Sequence, residues 1–157
     1  SLSHLPSFHK TLNEVAHEGI YIEMVQAPPL ESVWKFQHQL LESNSPIFYA
    51  LDHEYTKVVG WCDIAPIEGV RLRHRGTLGM GVLPCYRGQG VGSKLLTAAL
   101  EKAQHIGLEK IELHVYSSNV QAIGLYKKFG FTQEGYIRSF RKYKGIDFDC
   151  VLMSKFL

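Results

Sequence analysis

The residues that most suggest chemistry form a glycine-rich turn, Arg87-Gly88-Gln89-Gly90-Val91-Gly92-Ser93. An apolar segment that ends at Pro84 precedes the turn, and a segment with helical periodicity follows it. A helix start presents unpaired N–H groups and a partial positive charge, and glycine lets an anion approach the backbone closely. The turn therefore predicts a phosphate site made by the amides from Gly88 to Ser93, with a charged contact from Arg87. A tight turn without a ligand is the alternative.

Two common phosphate motifs do not fit this turn. A dinucleotide-binding turn requires GxGxxG, and the third glycine is missing whether the count starts at Gly88 or at Gly90. A P-loop requires Gly-Lys followed by Ser or Thr, whereas Gly92 precedes Ser93 and Lys94 in the opposite order. The spacing therefore argues against both classes of nucleotide site.

Three titratable side chains downstream of the turn could move protons. The strand predicted at 111–115 places Glu112 and His114 on the face opposite its three apolar residues. Histidine titrates near neutral pH, and the phenol of Tyr126 could donate a proton. Each also has an ordinary structural alternative, as a satisfied strand residue or a packed aromatic. Asn119 is placed to cap the helix that carries Tyr126.

The elements that must position these residues follow from periodicity and turn signals. The first 19 residues are expected to form a loose arm or a lead-in to the first strand. The remaining predictions, in chain order, are a strand at 20–25, a helix at 30–41, strands at 47–51, 57–64 and 77–83, a helix that ends at Gly107, a strand at 111–115, a helix that Gly130 closes, and two final strands at 131–137 and 148–153 joined by a turn at Lys144-Gly145.

Composition bounds the class of protein. With 157 residues, 45% of them hydrophobic, the chain is expected to form one α/β domain, over residues 20–157. A net charge of +2 gives no case for nucleic-acid binding, and no apolar run has the length of a membrane span. Cys62, Cys85 and Cys150 are far apart in sequence, and no histidine spacing is typical of a metal site. We therefore expect a cytoplasmic protein without a metal.

Two segments together resemble the GNAT superfamily of acetyl-CoA-dependent N-acetyltransferases. The first is Met80 to Gly92, and the second is Ser118 to Phe131, within a resemblance that covers Val58 to Met153. The resemblance implies a single-domain GNAT fold, with a mixed central sheet of about six to seven strands, splayed at the cofactor site and flanked by helices.

The resemblance also implies acetyl-CoA as the cosubstrate. Its pantetheine arm would lie between two splayed strands and bond to the backbone of Met80, Gly81 and Val82. Its pyrophosphate would rest on the amides from Gly88 to Ser93, and Asn119 would meet the arm. The cofactor-binding residues so implied are Met80, Gly81, Val82, Arg87, Gly88, Gln89, Gly90, Val91, Gly92, Ser93, Asn119 and Tyr126.

For catalysis, the resemblance implies Tyr126 as the general acid that protonates the leaving thiolate. The N–H of Val82 is the candidate oxyanion donor. His114 is the candidate general base, and Glu112 or a chain of waters is the alternative. Gly124 departs from the alanine usual in the family, and Cys85 is expected to be a bystander.

The acceptor is expected to be a primary amine, most simply a small molecule such as an amino acid. Four cations near the C-terminus would favour an acceptor that carries a carboxylate: Arg138, Arg141, Lys142 and Lys144. A protein or peptide N-terminal acetyltransferase and a non-catalytic acyl-CoA-binding module are the alternatives. A homodimer is expected by analogy with the family alone.

Overall fold

The computed structural model describes residues 2–157 as an α/β fold. Ser1, at the start of the predicted arm, lies outside the described residues. The helices are α1 (Leu5–His17), α2 (Leu30–Glu42), α3 (Val91–His105) and α4 (Val120–Lys128). The strands are β1 (Ile47–Leu51), β2 (Val58–Pro66), β3 (Arg75–Val82), β4 (Lys110–Tyr116), β5 (Thr132–Tyr143) and β6 (Ile146–Phe156).

The six strands form one mixed sheet in the order β1-β2-β3-β4-β6-β5. β3 and β4 are parallel, and every other neighbouring pair is antiparallel. One apolar cluster joins α3 and α4 to the sheet, and a second joins α1 and α2 to its other face. The predicted α/β fold with a mixed sheet of about six to seven strands is confirmed, and the sheet has six. Among the described residues, no helix combines the length and the apolar character of a membrane span.

The N-terminal segment differs from its prediction. Residues 5–17 form α1 rather than a loose arm, and Leu5, Phe8, Leu12 and Val15 are buried against the sheet beside Trp61. Their spacing of three and four residues is the helical signal that the arm prediction overlooked. Burial of these side chains holds the helix to the sheet.

The strand predicted at 20–25 is also wrong, because this segment runs through bends. Side chains of α1 fasten the chain that follows it. A nitrogen of the His9 ring lies 2.8 Å from the carbonyl oxygen of Pro28, and the Ala27 N–H donates to Asn13 Oδ1 at 2.9 Å. Alternating apolar residues give a segment two faces, but a strand also needs a neighbouring strand for its hydrogen bonds.

The sheet splays between β3 and β4. These two strands pair only at Arg75 with Lys110, Gly76 with Ile111, and Thr77 with Glu112. Beyond that point β4 continues its pairing with β6, and β3 continues its pairing with β2. A gap therefore opens in the middle of the sheet, as the resemblance predicted.

Candidate active site

A cavity of about 890 Å³ opens at the gap between β3 and β4. The backbone of β3, the glycine turn and α4 line one side of it. The other side is lined by α1, α2 and residues 21–24 of the segment that connects these two helices. The cavity therefore joins the two faces of the sheet at the place where its hydrogen-bonded ladder is interrupted.

The register of β2 and β3 shows which amides face the gap. The Leu83 N–H donates to the Val59 carbonyl oxygen at 2.9 Å, which makes this an antiparallel hydrogen-bonded pair. Since such pairs alternate along a strand, every second residue of β3 directs its N–H and C=O away from β2. Met80 and Val82 therefore present their amides to the gap.

Gly81 has a different role from the one the resemblance implied. By the same alternation its amide faces β2, so it offers no hydrogen bond to the gap. A Cβ at this position would lie 2.3 Å from the Trp61 ring. Glycine is required here because the indole lies across the strand, and Gly81 lines the cavity as bare backbone.

The glycine turn leads directly into α3. Gly88 and Gly90 have φ angles of +74° and +81°, in the left-handed region that favours glycine. The N–H of Lys94 makes the first helical bond, to the Gly90 carbonyl oxygen at 3.1 Å. The amides of Val91, Gly92 and Ser93 precede this bond and have no carbonyl within the helix, so they can receive an anion.

Arg87 is bound within the protein, and its charged contact to a phosphate stays a prediction. Its Nε donates to the Val82 carbonyl oxygen at 2.8 Å, and its two terminal nitrogens bind both carboxylate oxygens of Glu18. The guanidinium also lies over the Tyr21 ring, 4.4 Å from its centroid. Through these contacts Arg87 links β3 to the end of α1, and it also lines the cavity.

The side chains of Gln89 and Val91 lie away from the cavity, whereas Ser93 lines it. The Gln89 side chain donates to the Cys85 carbonyl oxygen at 2.7 Å, and Val91 packs against the core. Cys85 is exposed and does not line the cavity. The groups of this turn that could receive an anion are therefore mainly the backbone amides at the start of α3.

Tyr126 and Asn119 lie at the α4 side of the cavity. Asn119 caps the helix, since its Oδ1 accepts from the Ala122 N–H at 3.2 Å. Tyr126 is buried, with its ring 5.7 Å from that of Phe131, and burial raises the pKa of its phenol. A phenol that keeps its proton at neutral pH is a donor, which suits the role of a general acid.

His114 lines the cavity from β4. Phe140 stacks on its imidazole, with centroids 5.5 Å apart and 26° between the rings. A bulge in β5 between Ile137 and Arg141 brings Phe140 there, and the Asp149 carboxylate holds it by accepting from the Ser139 N–H at 2.7 Å. Bulges re-aim side chains in this way.

Glu112 does not line the cavity. Arg75 binds its carboxylate through Nε at 2.9 Å and through a terminal nitrogen at 2.6 and 2.8 Å. Lys110 adds a contact at 3.3 Å. The structure therefore brings Tyr126, His114 and Asn119 together and leaves Glu112 in an ion-pair network at the closed end of the gap.

Asp63 is a cavity residue that the sequence analysis missed. It is 8% exposed, and burial raises the pKa of its carboxyl to about 7. A hydrogen bond from Gln37 opposes this shift, and Gln37 in turn accepts from the Tyr49 hydroxyl at 2.6 Å. The signal in the sequence was one acidic residue within the apolar strand Val58–Pro66.

The hairpin cations do not line the cavity. Arg141 pairs with Glu23, and Lys142 lies 3.5 Å from Asp147. Among the lining residues within the described chain, Arg87 is the one Lys or Arg, and it is neutralised by Glu18. The hairpin therefore gives no support to the predicted preference for a carboxylate. Across residues 2–157 no three His, Cys, Asp or Glu side chains gather as a metal site.

The family model and two curated relatives that match this chain are all acetyltransferases. Residues 13–131 match the model of the Acetyltransferase (GNAT) family. The chain is 28% identical over 130 residues to the putative [ribosomal protein bS18]-alanine N-acetyltransferase of Bacillus subtilis, covering 81% of this chain and 83% of that protein. It is 26% identical over 142 residues to the L-amino acid N-acetyltransferase AaaT of Escherichia coli, covering 89% and 86%.

A solved structure shows the same fold. The phosphinothricin acetyltransferase of Sinorhizobium meliloti, determined in complex with acetyl-CoA, superposes with a TM-score of 0.93 at 18% identity. The match covers 100% of this chain and 85% of that one.

Proposed function

Since the chain belongs to the GNAT acetyltransferase family and is an N-acetyltransferase, we propose that it moves the acetyl group of acetyl-CoA directly to a primary amine. The observation that carries the proposal is the gap between β3 and β4. Free amides, a helix start, a protonated phenol and an imidazole line one cavity there. The phosphinothricin acetyltransferase with the same fold binds acetyl-CoA, which supports this cosubstrate.

Each group of the cofactor has a counterpart in the chain. The amides of Met80 and Val82 would bond the pantetheine arm, since they face the gap. The start of α3, from Val91 to Ser93, would hold the pyrophosphate through backbone N–H groups. Binding through the backbone needs no cationic side chain, so this site does not depend on Arg87, whose guanidinium is paired with Glu18.

The transfer needs one proton donor and one proton acceptor. The amine nitrogen attacks the thioester carbonyl carbon, the C–S bond breaks, and the sulfur leaves with a proton from Tyr126. His114 takes the proton that the amine loses. The Val82 N–H would stabilise the charge that develops on the carbonyl oxygen, a contribution of roughly 3 kcal/mol for one donor.

Thiol release from acetyl-CoA tests the proposal. The purified chain would be incubated with acetyl-CoA and a panel of L-amino acids, aralkylamines, polyamines and peptides that begin with alanine. Release that depends on an amine, with the acetylated product seen by mass spectrometry, is expected. Acetyl-CoA binding without release for any amine would instead indicate a non-catalytic acyl-CoA-binding module.

A further inference from the structure

The sheet face beside α1 and α2 has a bare strip of backbone at Gly79, which ends where the Trp61 indole covers Gly81. Gly79 pairs with Asp63 on β2, and the parallel register continued from Thr77 and Glu112 places His114 level with Gly79 on β4. These side chains share one face, because paired residues point to the same side of a sheet. Asp63 and His114 therefore flank a position that carries no side chain.

The carboxylate of Asp63 lies above this strip, on the same side of the sheet. A Cβ on Gly79 would lie 3.3 Å from Asp63 Oδ1. Neighbouring strands are about 4.8 Å apart, and β3 lies between the strands of Asp63 and His114. Because β3 and β4 also diverge here, the backbones of Asp63 and His114 are at least roughly 10 Å apart. That separation leaves room for a small polar group between the carboxylate and the imidazole.

Charge in the cavity is unbalanced at Asp63. Glu23, the other acidic lining residue, is bound by Arg141, and Arg87 is bound by Glu18. Among the described residues, the groups that interact with Asp63 through a hydrogen bond or through its charge are the Gln37 amide, the Tyr49 phenol and the Cys62 thiol, all neutral. A buried carboxylate without a cation is costly, and an ammonium group would neutralise it.

The walls around Asp63 are apolar. Phe8, Leu12, Val33 and Trp61 line this part of the cavity and are buried. Phe36 and Met24 also line the cavity and are partly exposed. Such walls suit an apolar group attached to the amine, and they offer no cation that would pair with a carboxylate on the acceptor.

We propose that Asp63 binds the ammonium group of the acceptor over Gly79, and that the acceptor is a primary amine with an apolar body and no carboxylate beside the amine. The proposal rests on the acetyl transfer proposed above and names its substrate class. Asp63 holds and orients the amine, while His114, across the strip, receives its proton. An α-amino acid is disfavoured because its carboxylate would enter the same apolar space as Asp63.

Titration calorimetry with matched amines tests the binding step. Phenethylamine, L-phenylalaninamide and L-phenylalanine would be titrated into the enzyme saturated with CoA. We expect the first two to bind and the free amino acid to bind at least about tenfold more weakly. Equal or tighter binding of L-phenylalanine would overturn the assigned substrate class.

Asp63→Asn keeps the shape of the side chain and removes its charge. The loss of a charged partner should weaken phenethylamine binding between about tenfold and about 100-fold, with CoA affinity unchanged. Asp147→Asn makes the same change on the exposed hairpin and should leave amine binding as it was. Unchanged amine affinity in folded Asp63→Asn would refute the assignment.

Gly79→Ala is a second variant that leaves the carboxylate in place. The new Cβ narrows the strip beside Asp63 Oδ1, so amine binding should weaken while CoA binding persists, because the Gly79 amide faces β2. Unaltered amine binding in this variant would contradict the position assigned to the ammonium.

Steady-state rates separate this inference from the proposed function. As a binding residue, Asp63 should affect the KM of the amine more than kcat. A fall in kcat with unchanged amine affinity would overturn the binding role in favour of proton transfer. Amine binding that depends on Asp63 but gives no thiol release would support the site and refute the proposed transfer.

Discussion

The Phe140 ring lies against the imidazole of His114 at a centroid distance of 5.5 Å, although the two residues belong to different strands. β6 lies between β4 and β5, so the contact crosses one strand of the sheet. The bulge in β5 makes it possible. The hairpin thus contributes to the candidate site by orienting a side chain and not by its charges.

Phe140→Ala should therefore leave the orientation of the His114 imidazole less fixed. An aromatic pair contributes about 0.5–1.5 kcal/mol, so we expect kcat to fall about twofold to tenfold. His114→Ala should cause a larger loss and change the pH–rate profile. Phe156→Ala, which removes an exposed ring at the end of β6, is the control. Full activity of Phe140→Ala beside an inactive His114→Ala would show that the stacking does not matter.

Tyr126→Phe should lower kcat by about 10²- to 10⁴-fold, the usual contribution of a general acid. The affinity for acetyl-CoA should change little, because the ring stays packed near Phe131. Stopped assays and calorimetry would measure the two quantities separately. Tyr55→Phe alters an exposed tyrosine and serves as the control. Normal turnover of the Tyr126 variant would remove the assignment.

Arg87→Met should lower the free energy of unfolding by about 1–3 kcal/mol, because it breaks the contacts to Glu18 and Val82. CoA affinity should fall less than tenfold, since backbone amides form the proposed anion site. Urea unfolding and calorimetry check the two effects, and Glu18→Gln should reproduce the stability loss. A large loss of CoA affinity with unchanged stability would restore the phosphate role.

Asp63 makes a pH-dependent contribution to stability. The pKa of its carboxyl is about 7 in the folded chain, against an ordinary value of 3.8, so between these pH values the folded state binds a proton that the unfolded state has lost. Stability should thus fall as the pH rises from about 4 to about 7, by up to roughly 4 kcal/mol. In Asp63→Asn this part of the slope should vanish. An equal slope in both proteins, measured by urea unfolding, would contradict the burial argument.

Gly124→Ala should raise the free energy of unfolding by about 0.5–1 kcal/mol, the difference in helix propensity. A Cβ there meets nothing within 4 Å, so no packing reason opposes alanine. Gly107→Ala is the matched contrast, since Gly107 ends α3 with φ at +84° and alanine there should cost about 1–2 kcal/mol. Thermal unfolding would rank the stabilities of the unaltered chain, Gly124→Ala and Gly107→Ala.

Features set by neighbouring residues were predictable from the sequence. Asn119 caps α4, Gly107 and Gly130 adopt positive φ angles after their helices, and Lys144 and Gly145 turn the last hairpin. The two cofactor segments matched the family for the same reason, since each is a continuous run of residues. The strand prediction at 20–25 was wrong because alternating apolar and polar residues do not show whether a partner strand is available.

The sequence by itself determined the turn, the caps, the order of the helices and strands from residue 30 onward and the family, because neighbouring residues and periodicity encode them. The tertiary structure decided which side chains act together. It engaged Arg87 with Glu18, paired Glu112 with Arg75, and placed Asp63 level with His114. These contacts join residues far apart in the chain, and they depend on strand register and on the splay of the sheet, which no local pattern specifies.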